Sequence, residues 1–212
     1  EKIIMTGNPV RQNLLGHSIS REDAVRYFSL DPSRKTILIL GGSLGARTIN
    51  QTLTAGLDTI RKNPDIQFIW QTGKTYIDRV RDAITAATGE AVRHPHINAI
   101  PNLYVTDFIK DMASAYAAAD LVISRAGAGS ISEFCLLHKP VILVPSPNVA
   151  EDHQTKNALA LVDKDAAIYV KDAEAEERLL DVALKTVKNS GKLKELSNNI
   201  ARLALPDSAT VI

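Results

Sequence analysis

The chain has 212 residues, of which 45% are hydrophobic, 23% charged and 5% aromatic. A chain of this length buries about 70% of its unfolded surface, so it needs no disulfide or structural metal to fold. Its single cysteine excludes a disulfide framework and a multi-cysteine zinc site. Its 25 Lys+Arg against 24 Asp+Glu leave a formal charge of +1, too near neutrality for an electrostatically driven nucleic-acid binder.

No apolar stretch is long enough to span a bilayer, and no signal-peptide pattern opens the chain. Gly7-Asn8-Pro9-Val10 reads as a turn and Arg21–Phe28 as a short helix opened by Ser20, so residues 1–35 read as a connector. Thr36–Leu40 is a continuous apolar run ended by Gly41-Gly42, the pattern of a buried parallel strand. Ile49, Leu53, Leu57 and Ile60 then recur at helical spacing as far as Asn63-Pro64. Strands are expected at 66–70, within 102–108, and at 121–124, 141–144 and 167–170. Helices are expected at 75–87, 111–118, 130–137, 152–163, 173–188 and 192–203. The alternation implies an α/β fold: a doubly wound, Rossmann-like, six-stranded parallel sheet of order 3-2-1-4-5-6 over residues 36–203. Ligands of such sheets bind where strands 1 and 4 diverge.

The loops after those two strands are both glycine-rich. The first is Gly41-Gly42-Ser43-Leu44-Gly45 and the second Arg125-Ala126-Gly127-Ala128-Gly129-Ser130. Each opens a helix, whose free N–H groups and positive dipole end suit a phosphate; two facing each other suit a diphosphate. Glu133, one turn into the second helix, is placed to accept both hydroxyls of a ribose. Gln154 and Asn157, at i and i+3 of a later helix, carry amides suited to sugar hydroxyls. The bland readings are tight strand-to-helix turns, helix-start charge compensation and a polar helix start.

Other chemistries fit less well. There is no G-x-G-x-x-G dinucleotide fingerprint and no P-loop. Gly41–Gly45 matches G-x-S-x-G, with Ser43 as nucleophile and His153 as base, but Ser43 follows the first strand, where a hydrolase elbow follows several. His94 and His96 lack a third metal ligand, and Cys135 and Trp70 read as core. No Asp-x-Asp motif appears, so no metal cofactor is required by these residues.

Together, Gly7–Arg11, G-G-S-L-G-A-R at 41–47 with Asn50, Phe108–Met112, S-R-A-G-A-G-S-I-S-E at 124–133, D-H-Q-T-K-N-A at 152–158 and Pro206-Asp207 resemble the MurG family. These are peripheral-membrane GT-B glycosyltransferases that transfer N-acetylglucosamine from UDP-GlcNAc to lipid I, forming lipid II for peptidoglycan. The resemblance covers the C-terminal, donor-binding half. It implies that Arg11, Gly42 and Ser43 lie near the donor phosphates and that the backbone of Ile109 reads the uracil edge. It implies further that Ala128, Gly129 and Ser130 receive a phosphate, that Glu133 binds the ribose, and that His153, Gln154 and Asn157 lie at the sugar. Three departures stand out: Leu44 replaces a common glutamine, His153-Gln154 stands where some members have Gln-Gln, and Gly129 replaces a larger apolar residue.

The resemblance also places the general base, the acceptor lipid I and the membrane-facing surface in an N-terminal half, at the cytoplasmic face of the bacterial inner membrane. Both ends of this chain read as cuts in a longer one, with residues 204–212 starting a return helix. The chain is therefore expected to bind UDP-GlcNAc and turn over nothing alone. The alternatives are a stand-alone UDP-sugar-binding subunit, or another UDP-sugar transferase or epimerase on the same scaffold.

Overall fold

A computed structural model describes residue 14 and residues 18–42, 45–92, 99–149 and 152–205. Arg11, Ser43, Leu44, His94, His96 and the segments 7–11 and 206–212 lie outside them.

The elements run α1 (Arg21–Tyr27), β1 (Lys35–Leu40), α2 (Arg47–Ala55), α3 (Leu57–Arg61), β2 (Ile66–Gln71), α4 (Ile77–Thr88), β3 (Leu103–Thr106) and α5 (Met112–Ala118). There follow β4 (Leu121–Ser124), α6 (Ala128–Leu136), β5 (Val141–Leu143), α7 (His153–Val162), β6 (Ile168–Tyr169), a 3-10 turn (Asp172–Glu174), α8 (Ala175–Lys188) and α9 (Ser190–Ala201). The strands form one parallel sheet in the order β3-β2-β1-β4-β5-β6, as the alternation of strand and helix patterns requires.

Successive residues of a strand point to opposite faces, and the core divides accordingly. Ile37, Ile39, Phe68, Trp70, Leu121 and Ile123 meet α2, α4 and α8 on one face. Leu38, Leu40, Ile69, Val122, Val141 and Leu143 meet α1, α5, α6 and α7 on the other. Both faces are covered, which is why the strands read as unbroken apolar runs. Trp70 and Cys135 are buried, as expected.

Four local features differ from the sequence reading. The first long helix is interrupted at Gly56, where any Cβ would lie 2.0 Å from Leu180 Cδ1 of α8. A side chain at that point would require the Leu180 side chain of α8 to shift. The short helix expected within the connector is present as α1, and what the sequence did not indicate is its packing into the core: Ala24 and Val25 are buried, as is Phe28 just beyond it. Ser20 caps α1 by accepting a bond from the Asp23 N–H at 3.1 Å. Arg21 donates to the carbonyls of Pro32 and Arg34 and to Asp120, which also accepts the Thr36 N–H, so α1 is tied to the starts of β1 and β4. Third, α6 begins at Ala128 rather than Ser130, because Gly127 is extended and acts as the N-cap. Finally, the helix after β6 begins as a 3-10 turn at Asp172, a residue committed to the loop after β4.

Candidate functional site

A cleft of about 240 Å³ opens at the carboxyl ends of β1 and β4. It is lined at one end by Gly41, Gly42, Arg125, Gly127 and Ser130, and at the other by Gln71, Phe108, Ile109, Met112 and Tyr116; Glu133 and Gln154 also line it. The sheet order puts it at the switch point, where β1 leads away to β2 and β4 to β5.

The polar end is built from backbone. Gly42 takes φ +70° with open space around its Cα, and Gly45 takes φ +85°. At Gly45 an added Cβ would lie 2.4 Å from the Tyr76 ring and 2.7 Å from the Thr72 carbonyl oxygen, so the turn into α2 admits no side chain. Across the cleft, the first intrahelical bond of α6 runs from the Ile131 N–H to the Gly127 carbonyl. The N–H groups of Ala128, Gly129 and Ser130 precede it and point out of the helix start. Neither Gly127 nor Gly129 has an atom within 4 Å of where a Cβ would be, so an anion can approach the amides directly.

Glu133 is the sixth residue of α6, about 7.5 Å along the axis from Ala128 by helical rise. It is 8% exposed, and its Oε2 accepts the Tyr116 hydroxyl at 2.7 Å. Tyr116 comes from α5 and lines the cleft, so two elements fix the carboxylate's direction. Nothing in the sequence pattern singles out Tyr116.

Gln154 and Asn157 do share a face of α7, and they act together on one peptide. Gln154 Oε1 accepts the N–H groups of Ala126 at 3.2 Å and Ser146 at 2.8 Å. Asn157 Nδ2 donates to the Ala126 carbonyl at 3.1 Å. The pair thereby holds the loop that opens α6, and Gln154 also forms part of the cleft wall. His153 is exposed at the first position of α7 and is not among the residues lining the cleft.

Arg125, left without a role by the sequence reading, is the brace of the same loop. Its guanidinium donates to the carbonyls of Val144 and Pro145 and pairs with Asp172. Asp172 also accepts the Thr48 hydroxyl at 2.8 Å, so one carboxylate links α2 to the loop after β4. Asn50, in the same helix as Thr48, accepts from the Trp70 indole at 2.9 Å and donates to the Thr72 carbonyl at 2.8 Å.

At the apolar end the Ile109 N–H is taken by Gln71 Oε1 at 2.8 Å. The Ile109 carbonyl accepts no hydrogen bond among the described residues. Among the described residues no group of three or more His, Cys, Asp or Glu side chains is arranged to hold a metal, and no helix is long and apolar enough to cross a membrane. Burial pushes the Cys135 thiol up to about 11, so it stays protonated and unreactive at neutral pH.

Residues 36–212 match the family described as the glycosyltransferase family 28 C-terminal domain. The UDP-N-acetylglucosamine--N-acetylmuramyl-(pentapeptide) pyrophosphoryl-undecaprenol N-acetylglucosamine transferase of Bacteroides fragilis is 74% identical over 211 residues, covering 100% of this chain and 53% of the relative. The protein of the same name from Bacteroides thetaiotaomicron is 72% identical over 212 residues, covering 100% and 54%. The crystal structure of Acinetobacter baumannii MurG aligns with a TM-score of 0.70 at 29% identity, covering 93% of this chain and 52% of that one. The chain spans about half the length of the relatives it matches.

Proposed function

The chain belongs to the glycosyltransferase family 28 C-terminal domain family, and from that premise we propose that it is the donor-binding half of an inverting UDP-GlcNAc transferase acting on lipid I. The observation that carries this reading is the cleft: an open helix start faces a glycine turn, and a buried carboxylate lies a turn and a half behind it. The names of the relatives supply the donor, N-acetylglucosamine on UDP, and an acceptor carried on undecaprenyl pyrophosphate.

In this reading the diphosphate lies across the switch point, held by the amides of Ala128, Gly129 and Ser130 and by the Gly42 turn. The family resemblance adds Ser43 and Arg11, which lie outside the described residues, as further phosphate ligands. Glu133, aimed by Tyr116, takes the ribose hydroxyls, and the base lies toward Ile109 and Met112. Gln154, which lines the cleft, borders the sugar, while Asn157 supports it by holding the Ala126 carbonyl and His153 stands outside the cleft lining. The Gln154 oxygen is committed to the loop amides, so its NH2 group is the part that meets a hydroxyl.

The acceptor hydroxyl attacks the anomeric carbon and forms the new C–O bond. The bond from that carbon to the β-phosphate oxygen breaks with its electron pair, and UDP leaves. The hydroxyl proton passes to a base supplied outside this chain. This half lowers the barrier by holding the diphosphate and meeting its growing charge with amide dipoles that need no reorganisation. The acceptor and a peripheral position on the cytoplasmic membrane face come with the other half of the transferase.

Calorimetry tests the reading. UDP-GlcNAc is expected to bind the 212-residue chain more tightly than UDP-glucose, without turnover. Equal affinity for both would favour a different UDP-sugar enzyme on this scaffold, and no binding of either would refute the donor-site reading.

A further inference from the structure

Gln71 ends β2, a strand whose six side chains are all buried, and is itself only 5% exposed. Among the described residues its one side-chain hydrogen bond is accepted by Oε1 from the Ile109 N–H, at 2.8 Å. An N–H can meet only the oxygen of an amide, so this bond also settles which way the amide faces. The Nε2 group, a donor of two hydrogen bonds, has no partner among the described residues, and Gln71 lines the cleft together with Ile109, Met112 and Tyr116. Nε2 is not among the fully buried unpartnered side-chain atoms of the described residues, so it stays accessible, and an acceptor in the cleft can take its hydrogens.

We propose that Gln71 is a specificity-determining residue of the base subsite, donating from Nε2 to the C4 carbonyl of uracil. The proposal rests on the donor-site reading above and adds to it the group that selects the base. Uracil carries an acceptor at C4. Cytosine carries an amine there, which would face the Gln71 amine donor to donor. A site that hydrogen-bonds a substrate group discriminates against the analogue that cannot make the bond and sets donor against donor, so the preference is expected to be large for so small a chemical change. The same side chain holds the loop at Ile109 through its oxygen, so the base-reading donor and the loop that borders the base move as one unit.

The test is titration of UDP and CDP into the 212-residue chain and two variants. Gln71→Glu keeps the oxygen that accepts the Ile109 N–H and replaces the donor with an acceptor. Gln71→Met removes both at similar volume. The unsubstituted chain is expected to prefer UDP over CDP at least tenfold. That preference is expected to fall at least tenfold in Gln71→Glu, with CDP affinity held or raised, and at least fivefold in Gln71→Met. A purely structural Gln71 would weaken both nucleotides equally. Equal losses for UDP and CDP in folded variants would therefore overturn the proposal, as would a lack of preference in the unsubstituted chain. Equal losses in the variants, or an unsubstituted chain that binds UDP and CDP alike, is a failure of the Gln71 assignment alone, whereas absence of any UDP binding by the unsubstituted chain removes the donor-site reading beneath it.

Discussion

Asp172 contributes to the cleft without lining it. It joins Arg125 of the loop after β4 to Thr48 of α2, so both helix starts at the cleft share one anchor. Removing it strands a guanidinium whose side chain is only 20% exposed. Asp172→Ala is expected to lower stability by about 1–3 kcal/mol in urea unfolding and to weaken UDP-GlcNAc binding severalfold, with Asp172→Asn recovering most of both. Wild-type affinity in Asp172→Ala would show that the loops hold their geometry without the brace. This pairing is not legible in the sequence, because the partners are 47 positions apart and each looks like an ordinary charged residue. The spacing of Gln154 and Asn157 was legible as a shared face. Their common target, the Ala126 peptide, was not, since it requires knowing that α7 packs beside the loop after β4.

Element starts carry the chemistry, and the two glycines of the first loop make different demands. Both take positive φ, which costs an L-residue about 1–2 kcal/mol. Gly42 has open space around it, whereas a Cβ on Gly45 meets the Tyr76 ring and the Thr72 carbonyl. Gly42→Ala is therefore expected to lose about 1 kcal/mol of stability, and Gly45→Ala markedly more, with displacement of α4; comparison of their urea midpoints decides it. Equal losses would mean that Tyr76 swings away at little cost. The strands were readable because both faces of the sheet are covered, which leaves unbroken apolar runs closed by glycine. The break at Gly56 is not legible in the sequence, because Ile49, Leu53, Leu57 and Ile60 keep helical spacing across it. The start of α6 was misjudged by two residues because Gly127, not Ser130, takes the extended capping conformation.

The whole molecule is a sheet insulated on both faces, with its polar chemistry at one edge. Two weak acids sit inside it. Burial raises the Cys135 thiol from 9.0 to about 11; burial, with a smaller contribution from Tyr27, raises the Tyr104 phenol from 10.0 to about 12. Each raised group holds its proton more tightly folded than unfolded, so its contribution is complete below its unfolded value and lost as pH rises through the folded one. Stability is expected to fall between about pH 9 and 12, and Cys135→Ala to flatten the part of that fall between 9 and 11. Urea midpoints at stepped pH would check this; a slope identical in the variant would contradict it. The near-zero net charge is compatible with anion binding, because the cleft offers amide dipoles and its arginine is already matched by Asp172. In the proposed reading Glu133 is the side chain that takes the ribose hydroxyls. The most direct measurement is calorimetry of UDP-GlcNAc with the unsubstituted chain and with Glu133→Ala. Loss of a charged hydrogen-bonding group predicts affinity weaker by about 1.5–3 kcal/mol, on the order of tenfold to a hundredfold, in a variant that still melts cooperatively. Unchanged affinity in a folded Glu133→Ala would contradict the account.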